Sequence, residues 1–350
     1  MTSVGALLTF GPSFRFTTRL MASGDTPVAS TVAEPVTLVG SGDPLFSTSA
    51  YAHSYLGSNG DTVDALAAQL SRRTATQPPI THIAGGVHAN DSIFDRLTLP
   101  PEWVPGDSGS IQPLSGMPTN EDFAGTRQSA TVASPVLASA QRMRTALRHA
   151  KIVVSGAVGF GGLPKNPVTL AAVSSPPLAS MLRIMNVPSD DFIAEQLVKA
   201  VGAEAHTPGT SHEGIARVVA RLTAVGIFRP GDRIVDGSGL ARRDRLTVNT
   251  LLRLLLDAER NPSWGTALIA SLPGPGQGTL KGRMSGLGTR VHAKTGTLND
   301  VSTLSGIVHA SNGKTYAFSI LCNGLKPTDI LAARKFQDAV VRRLAHGVAG

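Results

Sequence analysis

The 350-residue sequence has a single cysteine, Cys322, few aromatic residues (5%) and no uninterrupted apolar run of membrane-spanning length. One cysteine excludes an internal disulfide and any cysteine-cluster metal site. Cys322 falls in an apolar, strand-like run, where a buried thiol is expected. A membrane-spanning helix needs roughly 18 or more apolar residues, so none is expected here. The first dozen residues have an apolar core but no basic start, and Gly11-Pro12 ends a helix where a cleavage site would be needed. Other catalytic signatures are missing too. There is no Gly-x-Ser-x-Gly elbow, His212-Glu213 lacks the second histidine of a zinc helix, and the glycines from Gly156 to Gly162 fit neither a P-loop nor a dinucleotide fingerprint. No cofactor is implied.

What is present is a globular composition: 41% hydrophobic, 16% charged, with 37 glycines and 23 prolines marking many turns. The length suggests about two domains. The net charge of +8 is spread out; Arg242-Arg243-Asp244-Arg245 and Arg342-Arg343 are the densest basic spots, too short and mixed to predict a nucleic-acid partner.

The most informative stretch is Val291-His292-Ala293-Lys294-Thr295-Gly296-Thr297-Leu298. It reads as a strand. Ser305–Ala310 and Thr315–Leu321 follow, joined by Ser311-Asn312-Gly313-Lys314, an Asn-Gly hairpin signal. Lys294 is therefore expected on an antiparallel meander. Elsewhere the patterning predicts helices over 1–10, 61–73 with Asp61 as cap, 134–150, 178–185, 192–201, 211–224 with Ser211 as cap, 248–259 and 329–345. Strands are expected over 14–20, 36–39 and 170–174. Residues 80–158 read as short strands and long turns, a β-rich accessory region without a catalytic cluster. Ser238, in Asp236-Gly237-Ser238-Gly239-Leu240, reads as a turn residue.

Several blocks together resemble the D-alanyl-D-alanine carboxypeptidases of the class C penicillin-binding proteins. They are Leu7-Leu8-Thr9-Phe10-Gly11-Pro12, Leu38-Val39-Gly40-Ser41-Gly42-Asp43-Pro44, Asp91-Ser92-Ile93-Phe94-Asp95, Ser175-Pro176-Pro177-Leu178, Ser189-Asp190-Asp191, Asp236-Gly237-Ser238-Gly239-Leu240, Gly278-Thr279-Leu280 and Lys294-Thr295-Gly296-Thr297-Leu298. They occur in the family's order across nearly the whole chain. The resemblance implies an α/β layered, serine β-lactamase/transpeptidase-like domain, an antiparallel sheet covered by helices. Its pieces would be residues 1–22 and 168–350, with a β-rich region, 23–167, inserted.

It also implies a hydrolase that cuts D-Ala-D-Ala peptides of peptidoglycan through an acyl-serine, binds β-lactam antibiotics and works outside the cytoplasmic membrane. In that reading Lys294 supplies positive charge for the substrate carboxylate and Thr295 a hydroxyl. Gly296 gives room for the substrate backbone, and the Thr297 N–H helps hold the oxyanion. Ser189 relays a proton to the leaving D-alanine.

Two departures from the family pattern touch the chemistry. The family's nucleophile and base stand as Ser-x-x-Lys just before the helix matched by residues 2–12, whereas the only Ser-x-x-Lys here is Ser311–Lys314, in a hairpin turn. The chain is accordingly expected to begin inside a longer gene product, and the other reading is a non-catalytic peptidoglycan- or partner-binding protein of the same fold. Asp191 stands where the second motif has asparagine. An ionised aspartate only accepts hydrogen bonds, and it is expected to raise the pKa of a lysine beside it. Ser189 or Asp190 is also a natural cap for the helix that follows.

Overall fold

A computed structural model describes residues 1–24, 30–57, 61–72, 78–103, 111–125, 127, 130–205 and 207–347. Helix α1 (Thr2–Phe10) ends at Gly11, and strand β1 (Thr17–Ser23) follows. The alternation from Phe14 predicted an earlier strand start. Instead Phe14 stacks on Phe10, with centroids 4.5 Å apart, and meets Phe16 edge-on at 5.0 Å. That aromatic contact bends the segment before it can join a sheet.

The next stretch contributes β2 (Thr31–Val32), β3 (Val36–Val39), a short α2 (Ser49–Tyr51), α3 (Val63–Ser71), β4 (His82–Ile83) and β5 (Val87–Asn90). Helix α4 (Pro135–His149), β6 (Val153–Val154) and β7 (Val158–Phe160) complete it, and β8 (Pro167–Ser174) leads back out. Five strands form one sheet in the order β7-β5-β3-β1-β8; β2, β4 and β6 form a small parallel one. β1 runs antiparallel to β8, with Thr17 opposite Ser174 and Ser23 opposite Pro167. The chain thus leaves and returns to the rest of the molecule along one pair of neighbouring strands.

Helix α4 buries Val136, Ser139, Ala140, Met143, Ala146 and Leu147. This helical spacing gives one face, packed in a core with Leu66 and Leu70 of α3 and Leu20, Val36 and Leu38 of the sheet. Pro135 opens α4 and Ser134 caps it, accepting from Leu137 N–H. For α3 the cap is Thr62, accepting from Ala65 N–H, and not the expected Asp61. Asp61 is buried against Asp43, whose pKa is raised well above normal by burial and by the Asp61 charge.

Beyond β8, α5 (Leu178–Asn186), α6 (Asp191–Ala203), α7 (Ser211–Ala224), α8 (Val248–Arg260) and α9 (Gly265–Ser271) assemble with α1 around a second core. α6 is its axis, buried from Phe192 to Gly202. Helix α9 gave no clear signal in the sequence. Thr210, one residue before the expected Ser211, caps α7 through Glu213 N–H.

The meander β9 (Val291–Leu298), β10 (Val301–His309) and β11 (Thr315–Cys322) is antiparallel throughout, and α10 (Ile330–His346) closes the chain. The period-2 alternation of β10 divides its two faces. Leu304 and Val308 join Val341 and Ala345 of α10, while Ile307 enters the helical core on the other side. The sheet is therefore covered by helices on both faces, as expected. Cys322, expected to be buried, is half-exposed at the end of β11. Among the described residues no helix is long and apolar enough to cross a membrane.

Candidate functional site

Helices α1 and α6 and strand β9 converge on a cleft of about 420 Å³, lined among others by Thr2, Ser3, Ser189, Asp191, Asp236 and Lys294. Ser189 lies in the turn between α5 and α6, at φ +65°. This left-handed conformation is uncommon for a residue with a Cβ and marks functional or strained turns. Asp190 caps α6, its Oδ1 accepting from Ile193 N–H at 3.0 Å. Asp191, predicted as part of the site, is the first residue of that helix and lines the cleft.

β9 is an edge strand of its sheet. Lys294 pairs with Ser305 and Gly296 with Thr303 on β10. Lys294 Nζ donates to Ser189 Oγ at 2.7 Å and to Thr295 O at 2.9 Å. Thr295 Oγ1 donates to Thr279 Oγ1 at 2.8 Å, an interaction built by the Gly278-Thr279-Leu280 turn. There Thr279 N–H donates to Val187 O at 3.1 Å. Gly278 lies at φ +42°, and a Cβ on it would fall 1.9 Å from that same carbonyl oxygen. Only glycine permits so close an approach. Thr297, at the exposed end of the motif, accepts from Arg334 Nη2 at 3.2 Å.

Ser189, Asp191, Lys294, Thr295, Gly296 and Thr297 thus all line one cleft. Ser311–Lys314 lies away from it, in the β10–β11 turn, where Ser311 Oγ donates to His346 O. Two acidic residues support this side of the cleft: Asp236, from a block the sequence singled out, lines it, and Glu195 behind it was not anticipated. Asp236 accepts from the N–H groups of Gly239 (2.8 Å) and Ala241 (2.7 Å) and from Trp103 Nε1 (2.9 Å). Glu195 Oε1 accepts from Gly237 and Ser238 N–H at 2.9 and 2.7 Å. The turn containing Ser238 is wrapped around these carboxylates, and Thr2 Oγ1 ties α1 to it by donating to Gly237 O at 2.6 Å. A lone glutamate in the apolar run Phe192–Val201 was the only hint of this support.

Burial sets the electrostatics. Desolvation lowers the Lys294 pKa to about 8, and the nearby Asp191 carboxylate opposes that shift. The expectation that Asp191 would leave its lysine with a raised pKa therefore fails: the direction of its effect is right, but burial is larger. Asp191 is raised to about 6, by burial and then by Asp190, against the pull of Lys294. Glu195 is raised to about 8 by burial and by Asp236. At neutral pH the site presents a lysine that is mostly ammonium yet able to release its proton, hydrogen-bonded to a serine hydroxyl. Such a pair can attract a carboxylate and pass a proton.

The sequence matches the D-Ala-D-Ala carboxypeptidase 3 (S13) family over residues 1–120 and 114–346. It is 34% identical to a D-alanyl-D-alanine carboxypeptidase of an Actinomadura species over 277 residues, which is 76% of this chain and 48% of that protein. It is 29% identical to a Mycobacterium tuberculosis carboxypeptidase over 360 aligned positions, covering 98% of this chain and 73% of the other. The fold is that of penicillin binding protein 4 from Haemophilus influenzae. The TM-score is 0.77 at 22% identity, over 97% of this chain and 89% of that one. A peptidoglycan endopeptidase from Bdellovibrio bacteriovorus superimposes with a TM-score of 0.59 at 20% identity, over 98% and 83% of the two chains. The chain belongs to the D-Ala-D-Ala carboxypeptidase 3 (S13) family. It spans about half the length of the Actinomadura relative.

Proposed function

We propose that this chain carries the substrate-binding and proton-relay wall of a serine-type D-Ala-D-Ala carboxypeptidase or endopeptidase acting on peptidoglycan stem peptides. The observation that carries the reading is the 2.7 Å hydrogen bond from Lys294 to Ser189 in a cleft bounded by an edge strand. An extended peptide laid along β9 brings its terminal carboxylate to Lys294 and Thr295, with Gly296 leaving room for its backbone. Its scissile carbonyl then lies near the Thr297 N–H, which stabilises the developing oxyanion. As the acyl-serine bond forms and the peptide bond breaks, the proton given up by the attacking serine reaches the leaving amine by relay through Ser189, which accepts from Lys294 Nζ. β-Lactams, which carry a carboxylate beside a strained amide, occupy the same wall. Because stem peptides lie outside the cytoplasmic membrane, the reading places the protein there. It also treats 23–167 as an accessory unit inserted between 1–22 and 168–350, joined through the β1–β8 pair.

In the family the acylating serine stands in a Ser-x-x-Lys just ahead of the helix matched by residues 2–12, a place that precedes Met1 in this numbering. A polypeptide of residues 1–350 is expected to bind benzylpenicillin reversibly through this wall. Extending α1 by a helical turn that carries Ser-x-x-Lys should convert this to covalent labelling by a fluorescent penicillin. A chain that shows neither reversible binding nor labelling after the extension would overturn the proposal.

A further inference from the structure

Tyr51, Glu121 and Arg127, from the stretch between β3 and α4, reach across to the turn that carries Ser189. Asn120, Glu121 and Asp122 lie at φ +60°, +49° and +57°, three successive left-handed residues that persist only where surroundings enforce them. Their side chains show how. Asn120 Oδ1 accepts from Thr48 N–H at 2.8 Å, and Asp122 Oδ2 accepts from Ser115 Oγ at 3.1 Å. Between them the Glu121 carboxylate, 2% exposed, accepts from the Tyr51 hydroxyl at 2.8 Å and from Arg127 Nε at 2.8 Å. Arg127 Nη2 donates to the second Glu121 oxygen and, at 2.8 Å, to Asp190 Oδ2. One guanidinium thus holds two buried carboxylates, and the second belongs to the neighbour of Ser189.

We propose that Arg127 is a positioning residue: by bridging Glu121 to Asp190 it locks the turn before α6, so that Ser189 stays against Lys294. The inference rests on Ser189 and Lys294 being the substrate-handling pair. It makes residues 23–167 part of the site's support as well as an accessory unit. Only a planar fork serves both acids at once, and a lysine is a single point charge. Without the cation, two buried acids face each other directly. Glu121 is already raised to about 7, by burial and then by the Asp190 charge, with Arg127 pulling it down. Asp190 uses its other oxygen to cap α6, so any retreat from Glu121 drags the Ser189 turn with it.

The test is the pH profile of Lys294 acetylation by acetic anhydride, resolved by mass spectrometry in the folded protein. Exposed Lys281 and Lys314 serve as internal references. The unmodified chain is expected to show a Lys294 midpoint near 8. In Arg127→Met, loss of the turn hydrates Lys294, moving its midpoint up by at least half a pH unit while the reference lysines keep theirs. Benzylpenicillin affinity should fall at least tenfold. Arg127→Lys should fold and should not restore either quantity, and it provides the reading if Arg127→Met fails to fold. A folded variant with an unchanged Lys294 profile would overturn the inference. So would a change matched by Thr62→Ala at an equal loss of Tm, which would make Arg127 merely structural. If the unmodified chain binds no penicillin, the proposed function fails, yet the Lys294 profile still decides the role of Arg127.

Discussion

Lys294 Nζ lies 2.7 Å from Ser189 Oγ across 105 residues of sequence, joining the turn before α6 to an edge strand of the meander. The contact brings together a charge on one element and a hydroxyl on another.

Replacing Lys294 by alanine removes the cation that the proposed function sets against the ligand carboxylate. A hydrogen bond to a charged group contributes about 1.5–3 kcal/mol, so affinity for carboxylate-bearing β-lactams should fall by roughly 10- to 100-fold. Stability should change little, because the lysine is itself held in an unfavourable, desolvated state. Competition binding and a denaturant titration separate the two effects, and equal affinity would remove Lys294 from the site.

Asp191→Asn should shift the pH dependence of ligand binding. In the proposed function an anion binds to the ammonium form of Lys294, so affinity should fall as pH rises through the lysine's pKa of about 8. Asp191 raises that pKa, and removing its charge should move the decline to lower pH while tightening binding near pH 7, where the carboxylate would otherwise repel the ligand. A profile that moves upward, or does not move, contradicts the electrostatics described here.

Glu195 gives a stability prediction with a definite sign. Its pKa is raised to about 8 in the folded state and is about 4.3 in an unfolded chain. The native state therefore binds the proton more tightly, and this group's contribution to stability is lost as pH rises from about 4 to 8. Glu195→Gln keeps an oxygen for Gly237 and Ser238 N–H and should flatten that loss. Glu195→Ala leaves two buried N–H groups without their acceptor and should cost about 2–4 kcal/mol, as read by denaturant midpoints at pH 5 and 8.

Gly278→Ala places a methyl group against Val187 O in a left-handed backbone. The turn must move, at a cost of about 1–3 kcal/mol, and Thr279 withdraws from Thr295. Stability and β-lactam affinity should fall together. A variant that keeps both would show that the contact between these two turns does not shape the site.

How much of this was legible beforehand differs by element. The β9 strand, the hairpin after it, the helix over 134–150 and the helix after Ser189-Asp190 could be read from local signals. In each case the deciding interaction lies within a few residues: alternation, an Asn-Gly turn, a side chain bonding to a nearby N–H. The candidate site residues were legible for a different reason, since each sits in a block that resembles a family motif. Where two adjacent residues could cap one helix, the sequence pattern favoured Asp61 and Ser211, and the structure instead caps with Thr62 and Thr210. Burial then decided: Asp61 was drawn to Asp43, leaving Thr62 at the helix end.

The sequence by itself determined the β9–β11 meander, most of the long helices and the motif residues. Only the tertiary structure decided that Lys294 meets Ser189, that burial outweighs Asp191 in setting the lysine's proton affinity, and that Glu195, Asp236, Glu121 and Arg127 support the cleft. Desolvation and charge coupling depend on which groups are brought within a few ångströms and how much water is excluded between them. Neither quantity is a property of any stretch of chain taken alone.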